Sequence, residues 1–203
     1  PTSEYRGAPF WAWNCKLEED ELMRQIEDFK KMGFGGFFMH PRSGLDVPYL
    51  SDEFMGLVKA CAEKAKSEDM LAYLYDEDRY ASGFAGGFAT KNPENRSKFL
   101  LMTKKRLNAV DKETGIKTGK PYLVRCFDVT TEDNARLIRY RIEKTDSKRD
   151  NLWYVYVCTD ESIGWFNNQT YADLLSKKTV SDFINITYPP YEKAVGEYFG
   201  NSV

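Results

Sequence analysis

Three short apolar runs, residues 10–13, 34–39 and 70–75, alternate with two stretches of helical spacing, and this alternation constrains the fold more than any single motif. The first run reads Phe-Trp-Ala-Trp, an aromatic stretch with strand propensity. After it, Leu17, Leu22, Ile26, Phe29 and Met32 recur close to helical spacing, with acids early and Lys30 and Lys31 late. That charge order suits the helix dipole, and Gly33 supplies a stop. Ser51 is placed to cap a second helix over 52–66. The third run ends in Asp76-Glu77-Asp78-Arg79. Strand, helix, strand, helix, strand predicts a parallel α/β sheet.

The middle of the chain changes character. Between 97 and 160, β-prone stretches (100–107, 122–130, 137–144 and 152–158) are separated by polar turns at 111–119 and 145–151. This predicts an antiparallel β insertion. Residues 171–200 read as helical again, with a break or kink at Pro189 and Pro190. The expected organisation is therefore strand–helix units over 1–96, a β-rich lobe over 97–165, and a helical return over 166–203. A closed (β/α)8 barrel usually needs ~250 residues. With three units in 203 residues, a partial TIM-type barrel with an antiparallel β-rich insertion is the fold expected. An open flavodoxin-like sheet is the alternative, but such sheets seldom devote about 60 residues to a β excursion.

Composition narrows the function classes. The chain is 42% hydrophobic and 30% charged with net charge −2, a globular balance without the basic stripe of a nucleic-acid binder. No apolar run approaches the roughly 20 residues of a bilayer span, and no signal-like segment opens the sequence, so a soluble, cytoplasmic protein is expected. Cys15, Cys61, Cys126 and Cys158 are scattered without a C-x-x-C, and His40 is the one histidine. A Cys/His zinc site is poorly supported, and four reduced thiols are expected.

Chemistry in parallel α/β folds gathers at the carboxyl ends of strands. The first end offers Trp11, Trp13 and Asn14, the second His40, Pro41 and Arg42, and the third the acidic run 76–79. Each has a plain structural alternative: tryptophans in the core, a histidine satisfied in place, Arg42 paired with Asp46, a solvated charge cluster. Strand alternation would set Asp76 and Asp78 on one side and Glu77 on the other. Crowded carboxylates shift one another's pKa, which suits acid–base work, cation binding or the acceptance of sugar hydroxyls. The glycines at 83, 86 and 87 follow no phosphate-loop pattern, and serve a sharp turn or a close backbone approach.

The blocks Phe10-Trp11-Ala12-Trp13-Asn14, Gly35-Gly36-Phe37-Phe38-Met39-His40-Pro41-Arg42-Ser43-Gly44-Leu45, Tyr49-Leu50-Ser51 and Tyr75-Asp76-Glu77-Asp78-Arg79, with Ser82-Gly83 and Gly86-Gly87, resemble the amino-terminal part of bacterial proteins similar to glycoside hydrolase family 106, which include α-L-rhamnosidases. The tail 191–200 resembles the helix before that family's next barrel strand. The resemblance implies a (β/α)8 glycosidase with inverting hydrolysis and calcium dependence. It departs at Tyr80-Ala81, where relatives carry Trp-Pro, and the next acidic strand end is absent. On this reading Trp13 stacks on sugar, Asn14, His40, Arg42, Asp76 and Arg79 bind substrate, and Glu77 or Asp78 takes part in chemistry. The chain alone is expected to be nearly inactive, and exposed apolar edges predict self-association. The alternatives are a non-catalytic carbohydrate-binding or interaction module and, more weakly, a metal-assisted hydrolase using the acidic cluster.

Overall fold

The computed structural model describes residues 1–131, 137–144, 146 and 148–203. The chain divides into two compact units, one of Pro1–Ala89 with Val180–Val203 and one of Thr90–Thr179.

In the first unit, β1 (Phe10–Trp13), β2 (Gly36–Pro41) and β3 (Leu71–Tyr73) form a parallel sheet in that order, with Phe10 opposite Phe38 and Gly36 opposite Leu71. The β2–β3 approach is close. A Cβ on Gly36 would lie 2.3 Å from the Leu71 carbonyl oxygen, so only glycine fits there. Helix α1 (Glu19–Lys31) carries Glu19, Asp20 and Glu21 in its first turn and Lys30 and Lys31 in its last, and it buries Leu22 and Ile26 one turn apart. Helix α2 (Asp52–Ser67) opens on Ser51, whose Oγ accepts the Phe54 N–H at 3.2 Å. Its buried stripe includes Phe54, Val58, Cys61 and Ala65, which pack with Trp13, Phe37 and Met70 in the core. Each such large apolar side chain contributes roughly 1.5–3 kcal/mol by leaving water.

Helix α4 (Lys177–Val195) is continuous through Pro189 and Pro190, where the sequence predicted a break or kink. Two prolines remove two intrahelical donors. Burial on the far side of the pair, at Tyr191 and Val195, anchors the helix against the same core as β1–β3.

The second unit is a four-stranded antiparallel sheet of β4 (Lys98–Thr103), β7 (Leu152–Thr159), β5 (Tyr122–Thr131) and β6 (Leu137–Glu143), in that spatial order. Its covered face holds Cys126, Leu152, Tyr154, Tyr156 and Cys158, and the Tyr156 hydroxyl accepts the Leu107 N–H at 2.9 Å. The stretch 111–119, expected as a turn, contains a short helix α3 (Lys112–Thr118). Asp111 caps it by accepting the Thr114 N–H at 2.9 Å, and Gly119 ends it at φ +70°. The expected turn at 145–151 falls partly outside the described residues.

The fold is mixed α/β, with one parallel and one antiparallel sheet. The described strands of the parallel sheet stop at three, so it is open. Cys61, Cys126 and Cys158 are buried thiols and Cys15 is exposed, all four free. No helix of the described residues is long and apolar enough to cross a membrane.

Candidate functional site

The acidic run leaves the sheet before its side chains can alternate. β3 ends at Tyr73, and Tyr75 is fixed by the Tyr191 hydroxyl, which donates to its carbonyl at 2.8 Å. Beyond that point the three carboxylates diverge. Asp76 accepts from the Ser82 hydroxyl and, at 3.3 Å, from Tyr188. Asp78 is 6% exposed and its Oδ2 lies 3.5 Å from the Arg79 Nε.

Glu77 is wholly buried. Its carboxylate turns back into the glycine-rich loop and accepts five backbone N–H groups: Asp78 (2.9 Å), Gly83 (3.2 Å), Phe84 (3.0 Å), Ala85 (2.7 Å) and Gly86. Positive φ angles at Gly83, Ala85, Gly86 and Gly87 aim these donors at one point, which explains the glycines. Burial pushes the Glu77 carboxyl up to about 7, against the downward pull of the N–H groups of Asp78, Gly86, Ala85 and Gly83. Read from sequence as a catalytic candidate, Glu77 sits in this structure as the organiser of its own loop.

The residues of the neighbouring strand ends separate into core and rim. His40 is 2% exposed, its ring set edge-on to Tyr75 (3.9 Å between centroids) and Phe10 (4.8 Å). Burial, and then the charge of Arg42, hold its pKa below the usual histidine range. Arg42 and Asn14 are exposed, with the Arg42 N–H bonded to the Trp13 carbonyl at 2.9 Å. No ion pair joins Arg42 to Asp46 among the described residues. Trp13 requires a correction. It is 1% exposed, enclosed edge-to-face by Trp11 (5.6 Å) and Phe54 (5.7 Å), and offers no face for a sugar to stack on. Its side chain points to the helix-covered side of the sheet, where strand alternation from Trp11 also leads.

What the sequence reading missed is the contribution of α4. A pocket of about 390 Å³ opens beside the carboxyl end of β3, lined by Leu74, Tyr75, Asp76, Thr187, Tyr188, Tyr191, Glu192 and Phe199. Within it the Thr187 hydroxyl is buried with no hydrogen-bond partner among the described residues. The signal was the helical spacing of Tyr188, Tyr191 and Glu192, which put one face of α4 toward the strand end.

Calcium does not fit the acidic turn. That ion takes six to eight oxygen ligands. The Glu77 oxygens already face N–H donors, Asp78 faces Arg79, and no group of three or more His, Cys, Asp or Glu among the described residues is arranged to hold a metal.

No protein-family model matches this chain, and no curated protein matches it. A solved rhamnosidase from Novosphingobium sp. PP1Y is similar over 68% of this chain, at 16% identity and a TM-score of 0.42. The chain spans 16% of that protein's length, and the rhamnosidase activity belongs to that protein.

Proposed function

We propose that this chain is the sugar-binding portion of a carbohydrate-active protein of the glycoside hydrolase type. The observation that carries the reading is the pocket at the end of β3, where Asp76 and Glu192 stand among the rings of Tyr75, Tyr188 and Phe199. Aromatic faces cover the C–H surfaces of a pyranose, and carboxylates accept its hydroxyls, a pairing of apolar wall and few polar groups common to small-molecule sites. The motif resemblance over the strand ends supports the same class and places L-rhamnose first among the sugars to try. The partial barrel belongs to this reading too, with β1–β3 and their helices as its first units.

In this scheme Asp76 binds hydroxyl groups, Tyr75 lines the pocket with the buried His40 packed behind it, Asn14, Arg42 and Arg79 lie at the neighbouring loops, and Glu77 and Asp78 position the acidic turn. A second reading, binding without turnover, is favoured by the engagement of Glu77 by backbone donors and of Asp78 by Arg79. Inverting hydrolysis needs two free carboxyl groups about 6.5–9.5 Å apart across the sugar.

The test is calorimetric titration of the chain with L-rhamnose and a panel of other monosaccharides, beside hydrolysis assays on the matching aryl glycosides. Saturable binding that Asp76→Ala and Tyr188→Ala each weaken by about tenfold or more supports the pocket as the site. Binding indifferent to both substitutions rejects it. Turnover of any aryl glycoside by the chain rejects the second reading.

A further inference from the structure

The antiparallel sheet of the second unit carries apolar side chains on both faces, and its ion pairs among Asp128, Arg141, Glu143 and Arg149 fall on the face of Cys126. Side chains along β7 alternate between buried and half-buried, and the half-buried set (Trp153, Val155 and Val157) lies on the face opposite the Tyr154–Tyr156 core. Register places Met102 beside Val155, Leu100 beside Val157, and Phe127 between Trp153 and Ile142. Leu100 is 70% exposed, Ile142 62% and Met102 51%. A contiguous apolar surface crossing four strands is unusual without a partner.

Its charges are of one sign. Arg125 stands beside Val155, and the Lys104 ammonium lies 5.5 Å from the centroid of the Trp153 ring. Lys98, at the end of the same face, is already held by Asp173 at 3.2 Å. Among the described residues, no carboxylate occupies an outward position of these strands. Four strands at the usual spacing, and the eight residues of β7, make a face of roughly 15 Å by 25 Å. That is too small for the roughly 800 Å² a stable dimer buries on each partner, and a second copy would bring cations against cations. It matches an α-helix, which is about 10–12 Å across and covers roughly 25 Å in about 17 residues. A helix is also the ordinary cover for an apolar sheet face.

We infer that this face docks an amphipathic helix of another protein, with an apolar stripe against Met102, Val155 and Ile142 and acidic flanks toward Lys104 and Arg125. The inference is independent of the sugar pocket, which lies in the other unit.

The test uses two synthetic helical peptides of about 17 residues, identical in their leucine stripe and flanked by glutamates in one and lysines in the other. Binding to the full chain is followed by amide chemical-shift changes. The expected result is perturbation centred on β7 and β6, affinity for the acidic peptide about tenfold or more above the basic one, loss on Met102→Glu, loss of the preference on Arg125→Glu, and its reversal when Lys104→Glu is added. Equal affinities, or perturbation confined to other residues, would overturn the proposal. So would a concentration-dependent dimer in sedimentation that Met102→Glu dissociates, which assigns the face to a second copy. Binding of polygalacturonate at these residues, with neither peptide bound, would assign it to a polysaccharide.

Discussion

Glu77 Oε2 accepts the backbone N–H of Ala85 at 2.7 Å, across a turn of eight residues, and this bond sits at the centre of a cluster of donors that share the one carboxylate. The arrangement ties the end of β3 to the loop that follows it, so the sequence between them is closed by a side chain and not by a sheet.

Removing that side chain leaves buried donors with no acceptor. Glu77→Ala is expected to cost on the order of 3 kcal/mol or more in unfolding free energy, measured by urea denaturation. A loss below about 1 kcal/mol would mean water or another group can replace the carboxylate.

The same group makes stability depend on pH. Its folded pKa of about 7 stands above its ordinary value of 4.5, so between those values the native state holds more protons than the unfolded chain. Stability from this source is therefore fully present below pH 4.5 and lost as pH rises through about 7. The urea midpoint of the native chain, compared with Glu77→Gln across that range, isolates the contribution, because the variant lacks the titrating proton. A difference that does not change with pH would show that Glu77 stays ionised throughout.

His40 titrates in the opposite sense. Its pKa is lowered by burial first and Arg42 second, so its share of stability is lost as pH falls below the unfolded histidine value. Proton NMR should show a midpoint below 6.5 that rises in Arg42→Ala yet stays below 6.5, since burial persists. A midpoint above that value in either protein contradicts the enclosure by Tyr75 and Phe10.

Trp13 is expected to matter for folding and not for ligand. Trp13→Ala should destabilise the chain by about 3–5 kcal/mol, as large-to-small core changes do. Trp13→Phe should leave any saccharide affinity unchanged by calorimetry. A matching drop in affinity would return this ring to the binding surface.

What could be read from the sequence was what repeats locally. The spacing of Leu22 and Ile26, the Ser51 cap and the apolar run at 34–39 each report short-range periodicity or capping; both helices stand where those signals put them, and β2 forms two residues further on, at Gly36–Pro41. The order of strands β4, β7, β5 and β6 was out of reach, because pairing partners far apart in the chain leave no local mark. The acidic turn shows the same division. Alternation was a sound rule for a strand that continued, but β3 ended at Tyr73, and only the fold shows where the Glu77 carboxylate goes. The pocket depended on Tyr188 and Glu192, more than 100 residues from Asp76 in sequence, which α4 carries to the strand end.

The self-filled cradle of the glycine loop has a chemical consequence. A phosphate or carboxylate arriving from solvent meets a tethered competitor that never diffuses away, at an effective concentration in the millimolar range or above. Such a loop is closed to free anions for as long as the tether holds. Cutting Glu77 back to alanine would therefore do more than loosen the turn: it would remove the tethered acceptor and leave the backbone donors facing small oxyanions from solvent.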